Sequence, residues 1–302
     1  MDFADIGLWS VSVKTKVRPA ISDDIDAICA LLHEKMNNKI PVSRWRNLMN
    51  YTWLDHKPDF GRVVESDGKI LGFCGMVYAD RLVGDTPQDF RKERIVSMSS
   101  WYLDRSLRGQ GLGRAMLLSA IEDRALSYAT LTNSRKPLAI VEALGFRKLE
   151  EHQYLWRKTG VADTTVKVTD DLLLIRASLV PNQRQILDDM HDLPVVPMLL
   201  EYQDRQALLF FSIKRKDADV LWFDMMYSSD KELFVECAQA LANSLLPDTP
   251  SILASDARFV RKPPAGSVAQ ALPVARYFIS ERVKPHELDN LYSELQLLDF
   301  KL

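Results

Sequence analysis

The run Arg108-Gly109-Gln110-Gly111-Leu112-Gly113-Arg114 limits what this chain can fold into more than any other segment. An apolar, strand-like stretch precedes it and a long amphipathic pattern follows. Three glycines in five positions at a strand-to-helix junction leave backbone N–H groups without side-chain cover. Those donors stand at the positive end of a helix dipole, where an anion is held. The natural guest is a pyrophosphate, so the run points to a nucleotide-like cofactor.

Two cofactor classes fit poorly. A dinucleotide fold wants G-x-G-x-x-G after its first strand and an acidic residue about 20 positions on. Here the glycines come late, after several antiparallel-looking strands, and their spacing differs. A P-loop ends in Gly-Lys-Ser/Thr, whereas Gly113 is followed by Arg114 and Ala115. The net charge of −2 gives no global field for nucleic acid. Three cysteines, Cys29, Cys74 and Cys237, have no pair spacing, which argues against a disulfide framework or a metal site. No apolar run approaches the length of a membrane span. Met1 to Ser10 carries Asp2 and Asp5 and lacks the pattern of a secretory signal, so a cytoplasmic location is expected.

Periodicity outlines an α/β chain. Strands are expected at Val11 to Arg18, Gly61 to Glu65, Lys69 to Tyr78 and Arg94 to Leu103, with a Ser66-Asp67-Gly68 turn joining the second and third. Helices are expected after Ser22-Asp23-Asp24, after Ser43, over Gly111 to Leu126 and over Pro137 to Leu144, the last ended by Gly145. A short strand at Ala129 to Thr132 and a longer one at Phe146 to Arg157 complete this half. Residues 158–169 read as a linker. Beyond it, strands are expected at Gln206 to Lys214, Val220 to Tyr227, Ser251 to Ala254 and Ala275 to Ser280, with helices at Lys231 to Leu246 and His286 to Leu297. The succession repeats that of the first half from Lys69 onward, which suggests an internal duplication. In such a duplicate, Tyr227-Ser228-Ser229-Asp230 stands where the glycine loop stands.

Arg108, Gly111 and Gly113 fill an R-x-x-G-x-G pattern. It follows a strand ending Trp101-Tyr102-Leu103-Asp104, opens a helix, and precedes the short strand Thr130-Leu131-Thr132-Asn133 and a late helix running into Gly145-Phe146. From Val11 to Trp156 the chain thus resembles the GCN5-related N-acetyltransferase (GNAT) superfamily. The resemblance implies a mixed central sheet flanked by helices, in tandem: a GNAT acyl-CoA-binding domain at 1–158 and a degenerate GNAT-like domain at 165–302 without the pyrophosphate loop. It implies acetyl-CoA as cofactor, with its pyrophosphate on the backbone of Gly109, Gln110, Gly111, Leu112, Gly113 and Arg114, and charge from Arg108 or Arg114. The pantetheine arm would pair with Trp101, Tyr102 and Leu103 on a splayed strand, near Asn133 and Phe146.

The reaction implied is transfer of acetyl from acetyl-CoA to a small amine. It needs a proton acceptor, an oxyanion donor and an acid for the thiolate. Many relatives carry a tyrosine four residues before the glycine of the Gly-Phe pair; here that position is Val141. Tyr102, Tyr128 and Tyr154 are substitute acids, and Ser99, Ser100 and His56 are candidate bases, each weighed against an ordinary structural role. Glu93 and Asp104 read as solvated charges at the strand ends, and Cys74 as a small buried apolar residue. Trp45, Tyr51, Trp53 and Trp101 supply aromatic area for a ring-bearing acceptor. A further likeness is to two-part acetyltransferase-like proteins found with bacterial surface-polysaccharide genes, carried by Thr130-Leu131-Thr132 and the run Leu288 to Leu295; it implies an amino-sugar acceptor. The rival reading is a CoA-binding sensor or assembly protein without catalysis. A homodimer stays open.

Overall fold

A computed structural model describes residues 15–84, 88–134, 138–160, 164–216, 219–260 and 262–299. Strand β1 (Thr15–Pro19) leads through a 3₁₀ turn into α1 (Ile25–Leu31), which a π turn extends to Met36, and then α2 (Val42–Asn50). Next come β2 (Gly61–Ser66), β3 (Lys69–Val83), β4 (Arg91–Leu103), α3 (Leu112–Ala120), β5 (Ser127–Thr130), α4 (Leu138–Ala143) and β6 (Arg147–Trp156). The second half runs β7 (Val166–Thr169), α5 (Leu172–Ser178), α6 (Pro181–Asp189), β8 (Val196–Tyr202), β9 (Arg205–Lys216), β10 (Val220–Ser228), α7 (Lys231–Leu245), β11 (Ser251–Asp256), β12 (Val268–Ile279) and α8 (Glu294–Leu297).

All these strands form one sheet of order β1-β2-β3-β4-β5-β12-β6-β11-β10-β9-β8-β7. The order is not that of the chain. β12 lies between β5 and β6, pairing Tyr277 with Thr130 on one side and Val268 with Leu155 on the other. β6 in turn pairs with β11 through Trp156 and Leu253. Each half therefore places a strand within the other's part of the sheet.

Period-two alternation along β3 sorts the core onto two faces. Phe73 and Val77 pack with Trp45 and Leu48 of α2 and Ile28 of α1. Cys74, Met76 and Tyr78 pack with Met116 and Leu117 of α3 and with Val96 and Tyr128. In the second half α7 buries Leu233, Phe234, Cys237, Ala238 and Leu241, the apolar stripe of an amphipathic helix, against β9 and β10.

The expected hairpin turn is present: Asp67 and Gly68 both take positive φ, 50° and 75°, as a tight primed turn requires. Several elements differ from expectation. The residues Val11 to Lys14 lie outside the described residues. The helix expected over Gly111 to Leu126 stops at Ala120, where Asp123 turns the chain by accepting a hydrogen bond from the Ala125 N–H. Ser43 does not cap α2, which begins one residue earlier after Pro41. The linker holds β7, and β8, α5 and α6 were not foreseen. Pro197 disguises β8, but β7 pairs only with Leu199 to Tyr202, so the proline sits where that side of the strand is unpaired.

The helix expected over His286 to Leu297 is mostly absent. A 3₁₀ turn covers Pro285–Glu287, residues 288–293 run without helix, and only Glu294–Leu297 is α-helical. Tyr292 at φ 57° breaks the helical path, and the Ser293 hydroxyl caps α8 by accepting from the Leu295 N–H.

Candidate active site

Strands β4 and β5 pair in parallel over three residues only: Ile95 with Ser127, Val96 with Tyr128 and Ser97 with Ala129. Beyond Ser97, β4 runs on to Leu103 without a β5 partner. The cause lies on its other side. The β3–β4 register shifts between Phe73, opposite Tyr102, and Gly75, opposite Ser99, which puts an extra residue on β4. Ser100 in that bulge has φ 53°. A bulge of this kind bends its strand away from the regular ladder. The stretch from Met98 to Leu103 becomes an interior sheet edge, able to pair with an extended guest as a missing strand would.

At the end of β4 the chain enters the glycine loop. The Asp104 carboxylate accepts from the N–H and hydroxyl of Ser106 and starts a 3₁₀ turn over Arg105–Leu107. Arg108 Nε donates to the Leu103 carbonyl at 2.9 Å, and its guanidinium lies 5.7 Å from the centre of the Tyr102 ring. The Gln110 amide donates to the Ser106 carbonyl. Gly109 and Gly111 have φ of 82° and 78°, and a Cβ on either would meet nothing. These two glycines are needed for backbone conformation, and the space around them is open. Gly111 precedes α3 with no side-chain cap, so the first-turn N–H groups of Leu112, Gly113 and Arg114 keep their donors for a guest. A Cβ on Gly113 would stand 3.4 Å from Trp101 Cζ2, so this glycine lets α3 lie against β4. Arg108 braces the loop through Nε, and the exposed Arg114 in the first turn of α3 is placed to meet a phosphate.

An extended arm at the β4 edge and an anion at the start of α3 describe one elongated, phosphorylated ligand. The family model for the acetyltransferase (GNAT) family matches residues 26–134. Residues 26–134 form a GNAT acetyltransferase domain. Its cofactor is acetyl-CoA, and its activity is acyl transfer. The uncapped α3 terminus, the two open glycines and the bare β4 edge fit the pyrophosphate and pantetheine of that cofactor. Solved structures share the fold. A GCN5-related N-acetyltransferase from Anabaena variabilis is similar at TM-score 0.54 and 10% identity, over 88% of this chain and 72% of that one. One from Kribbella flavida is similar at TM-score 0.53 and 11% identity, over 89% and 71%. A probable N-acyltransferase of unknown function from Enterococcus faecalis is similar at TM-score 0.53 and 11% identity, over 91% and 74%. No curated protein matches the chain.

The GNAT domain gathers some of the expected site residues and scatters others. Trp101 and Leu103 face the α3 cluster, while Tyr102 packs on the α1–α2 side. Ser100 is buried, with its hydroxyl 2.9 Å from that of Ser99. Asn133 is occupied: its amide donates to the carbonyl and hydroxyl of Thr130 and to the Ala275 carbonyl, tying β5 to β12. Phe146 and Val141 are both buried in the α3-side core. Beside Val141, Glu142 accepts from the Tyr277 hydroxyl at 2.6 Å, so a tyrosine from β12 reaches α4. Glu93 is not a solvated end-of-strand charge: it is buried and held by Arg282. His56 is exposed in the loop after α2 and does not line the large cleft described next.

That cleft, about 980 Å³, opens between the halves. Ser97, Ala129 and Leu131 form its floor on the GNAT side, facing Asp189 of α6, Tyr227 of β10 and Tyr292. Behind the cleft lining, Trp53 meets Tyr292 edge-on at 5.3 Å and stacks on Tyr51 at 4.5 Å within the core. Arg81 covers the Tyr292 ring and is held by both oxygens of Asp289.

The C-terminal segment supplies a residue that sequence reasoning passed over. Glu294 is fully buried and accepts from Ser97 Oγ at 2.6 Å and from Thr132 Oγ1 at 2.8 Å. Burial pushes its carboxyl above the ordinary glutamate range, against the pull of the two hydroxyls and Arg276. In the sequence Glu294 sits in a helix-like pattern, where a charge reads as solvent-facing. The capping signal Ser293-x-x-Gln296 marks where the short helix starts, and nothing local marks where its glutamate points.

Proposed function

We propose that the protein moves acetyl from acetyl-CoA to a small primary amine that enters through the cleft between the halves. One observation carries this reading: the bare β4 edge and the cleft meet at Ser97, the last residue of β4 paired to β5 and part of the cleft floor. Cofactor and acceptor then approach one point from different sides.

In this reading residues 1–158 are the acyl-CoA-binding domain. The backbone of residues 109–114 holds the pyrophosphate, Arg114 adds charge, and the Trp101–Leu103 edge pairs with the pantetheine arm. Trp101 supports α3 beneath it. Ser100 shapes the bulge, Arg108 and Tyr102 brace the loop, and Asn133 and Phe146 hold β5 and β6 in place around the arm. His56 falls outside this arrangement. Residues 165–302 are a degenerate copy that supplies the far wall of the cleft.

The cleft favours a cation with a flat or ring-like body. Asp189 accepts hydrogen bonds from Tyr292 and Gln185 and has no cationic partner among the described residues. An ammonium would supply one, and Tyr227 and Tyr292 on the cleft lining give apolar area for a sugar or aromatic ring. An amino sugar meets both demands. The test is incubation with acetyl-CoA and a panel of amines, amino sugars included, while free thiol is followed. Turnover above the amine-free rate supports the reading. CoA binding without turnover on any amine overturns it in favour of a non-catalytic CoA sensor.

A further inference from the structure

We propose that Ser97 and Glu294 form a proton relay that takes the proton of the amine as the amide bond forms; the assignment rests on the acetyl-transfer reading above. Val141 cannot exchange protons, and His56 is away from the cleft. Ser97 lines the cleft and ends the paired part of β4, so its hydroxyl stands where acceptor and cofactor meet. That hydroxyl donates to Glu294 Oε2 at 2.6 Å. The other oxygen, Oε1, accepts from Thr132, which is exposed. The chain of groups therefore runs from the cleft, through a buried carboxylate, to the surface.

Glu294 fastens α8 to β4 and to the residues after β5 through Ser97 and Thr132, and this tie is made without a counter-ion. The end of α8 is capped by Ser293, with Gln296 returning a bond to the Ser293 N–H. No ion pair reaches Glu294 among the described residues. Arg276 is the charged group whose field touches it, and Arg276 is itself engaged by Glu150 and Asp256. A buried carboxylate with hydroxyl partners and no counter-ion is costly, and burial raises its affinity for a proton, as a proton acceptor requires. The step balances as follows. The amine nitrogen forms the new bond to the acyl carbon, and the carbon–sulfur bond breaks with its electron pair going to sulfur. The amine proton passes to Ser97 Oγ as the Ser97 hydroxyl proton passes to Glu294. Glu294 returns its proton to solvent past Thr132, and the sulfur takes one from solvent.

The test uses the full chain with Glu294→Gln and Ser97→Ala. Glu294→Gln is expected to lower kcat/KM for the amine about 100-fold and to remove the acidic limb of its pH profile. CoA affinity by calorimetry stays within about 2-fold of wild type, since neither residue belongs to the loop that holds the pyrophosphate. In the infrared difference spectrum of wild type against Glu294→Gln, the bands of the buried Glu150 and Asp224 cancel and the titrating carboxyl band of Glu294 is left, and Ser97→Ala moves its midpoint upward. Should Glu294→Gln not fold, wild type against Ser97→Ala carries the same rate and infrared readings. Variants that keep the wild-type rate and acidic limb overturn the relay while leaving acetyl transfer standing. Wild-type protein that binds CoA and acetylates no amine overturns the transfer reading, and the relay with it.

Discussion

The sheet contains two places where parallel strands part, and they are put to opposite uses. In the first half β4 and β5 separate after Ser97, and the β4 edge beyond is bare. In the second half β10 and β11 separate after Asp224, with a register shift near Met226 that matches the bulge on β4. That second gap is filled by the chain itself. The Asn290 N–H donates to the Met226 carbonyl at 2.9 Å, and Arg258 Nε donates to the Leu288 carbonyl at 3.0 Å. The Asn290 side chain joins Arg258 and Asp256. Around it Arg258 and Arg276 face Glu150 and Asp256, all of them buried. The connections differ as well. Residues 104–111 form an open glycine loop before α3, whereas only Ser229 and Asp230 separate β10 from α7, and Asp230 caps that helix with its own carboxylate. An anion meets free donors at α3 and a negative charge at α7. The second parting of strands thus differs from the first in two ways, a filled slot and an occupied helix terminus.

The contrast can be broken at several points. The largest effect is expected from Arg258→Met, which leaves Glu150 and Asp256 buried with one cation fewer and takes one side-chain partner from Asn290. Breaking a buried pair in this way costs about 3–5 kcal/mol, read by urea unfolding. A loss below about 1 kcal/mol would show that the network does not hold the segment in the slot. Next is Gly111→Val. A β-branched residue at φ 78° is strained by about 1–3 kcal/mol. If the loop must keep that conformation to hold the pyrophosphate, CoA affinity falls about 10–100-fold by calorimetry.

Asn290→Leu removes the side-chain bonds to Arg258 and Asp256, at about 1–3 kcal/mol of stability for the buried polar groups left unpaired. CoA stoichiometry is expected to stay at one per chain, because Asp230 still closes the α7 terminus. A stoichiometry of two would mean that the segment alone silences the second slot. The smallest effect is expected for Tyr277→Phe, which removes the bond from β12 to Glu142 of α4 and costs about 0.5–1.5 kcal/mol in thermal unfolding. A larger fall in turnover than in stability would place this hydroxyl among the groups that return a proton to sulfur.

Features decided within a few residues were readable from the chain. The turn at Asp67-Gly68, the helix pattern of α7, the glycine loop and the helix after it all rest on local backbone preference and local periodicity. Several others depend on distant partners. β8 carries Pro197, which is tolerated because β7 is too short to reach it. The segment after Pro285 has an amphipathic pattern, but Asn290 is drawn into the second slot by Met226, Arg258 and Asp256. Its apolar residues Leu288, Leu291, Tyr292 and Leu295 pack into the core between the halves without forming a continuous helix. Val141 left the GNAT pattern without its acid, and the tyrosine bonded to Glu142 beside it, Tyr277, and the glutamate bonded to Ser97, Glu294, come from the other half of the chain.

Sequence alone settled the conformation of the loop at 108–114 and its uncapped helix terminus, because glycine's access to positive φ and the lack of a capping side chain are properties of neighbouring residues. It also set the order of strands and helices around that loop. Tertiary structure decided which slot is open, which residues of the C-terminal segment are buried, and that a glutamate from α8 stands beneath Ser97. Those outcomes follow from which distant segment closes over which gap, and burial changes a side chain's proton affinity only once that closure is made.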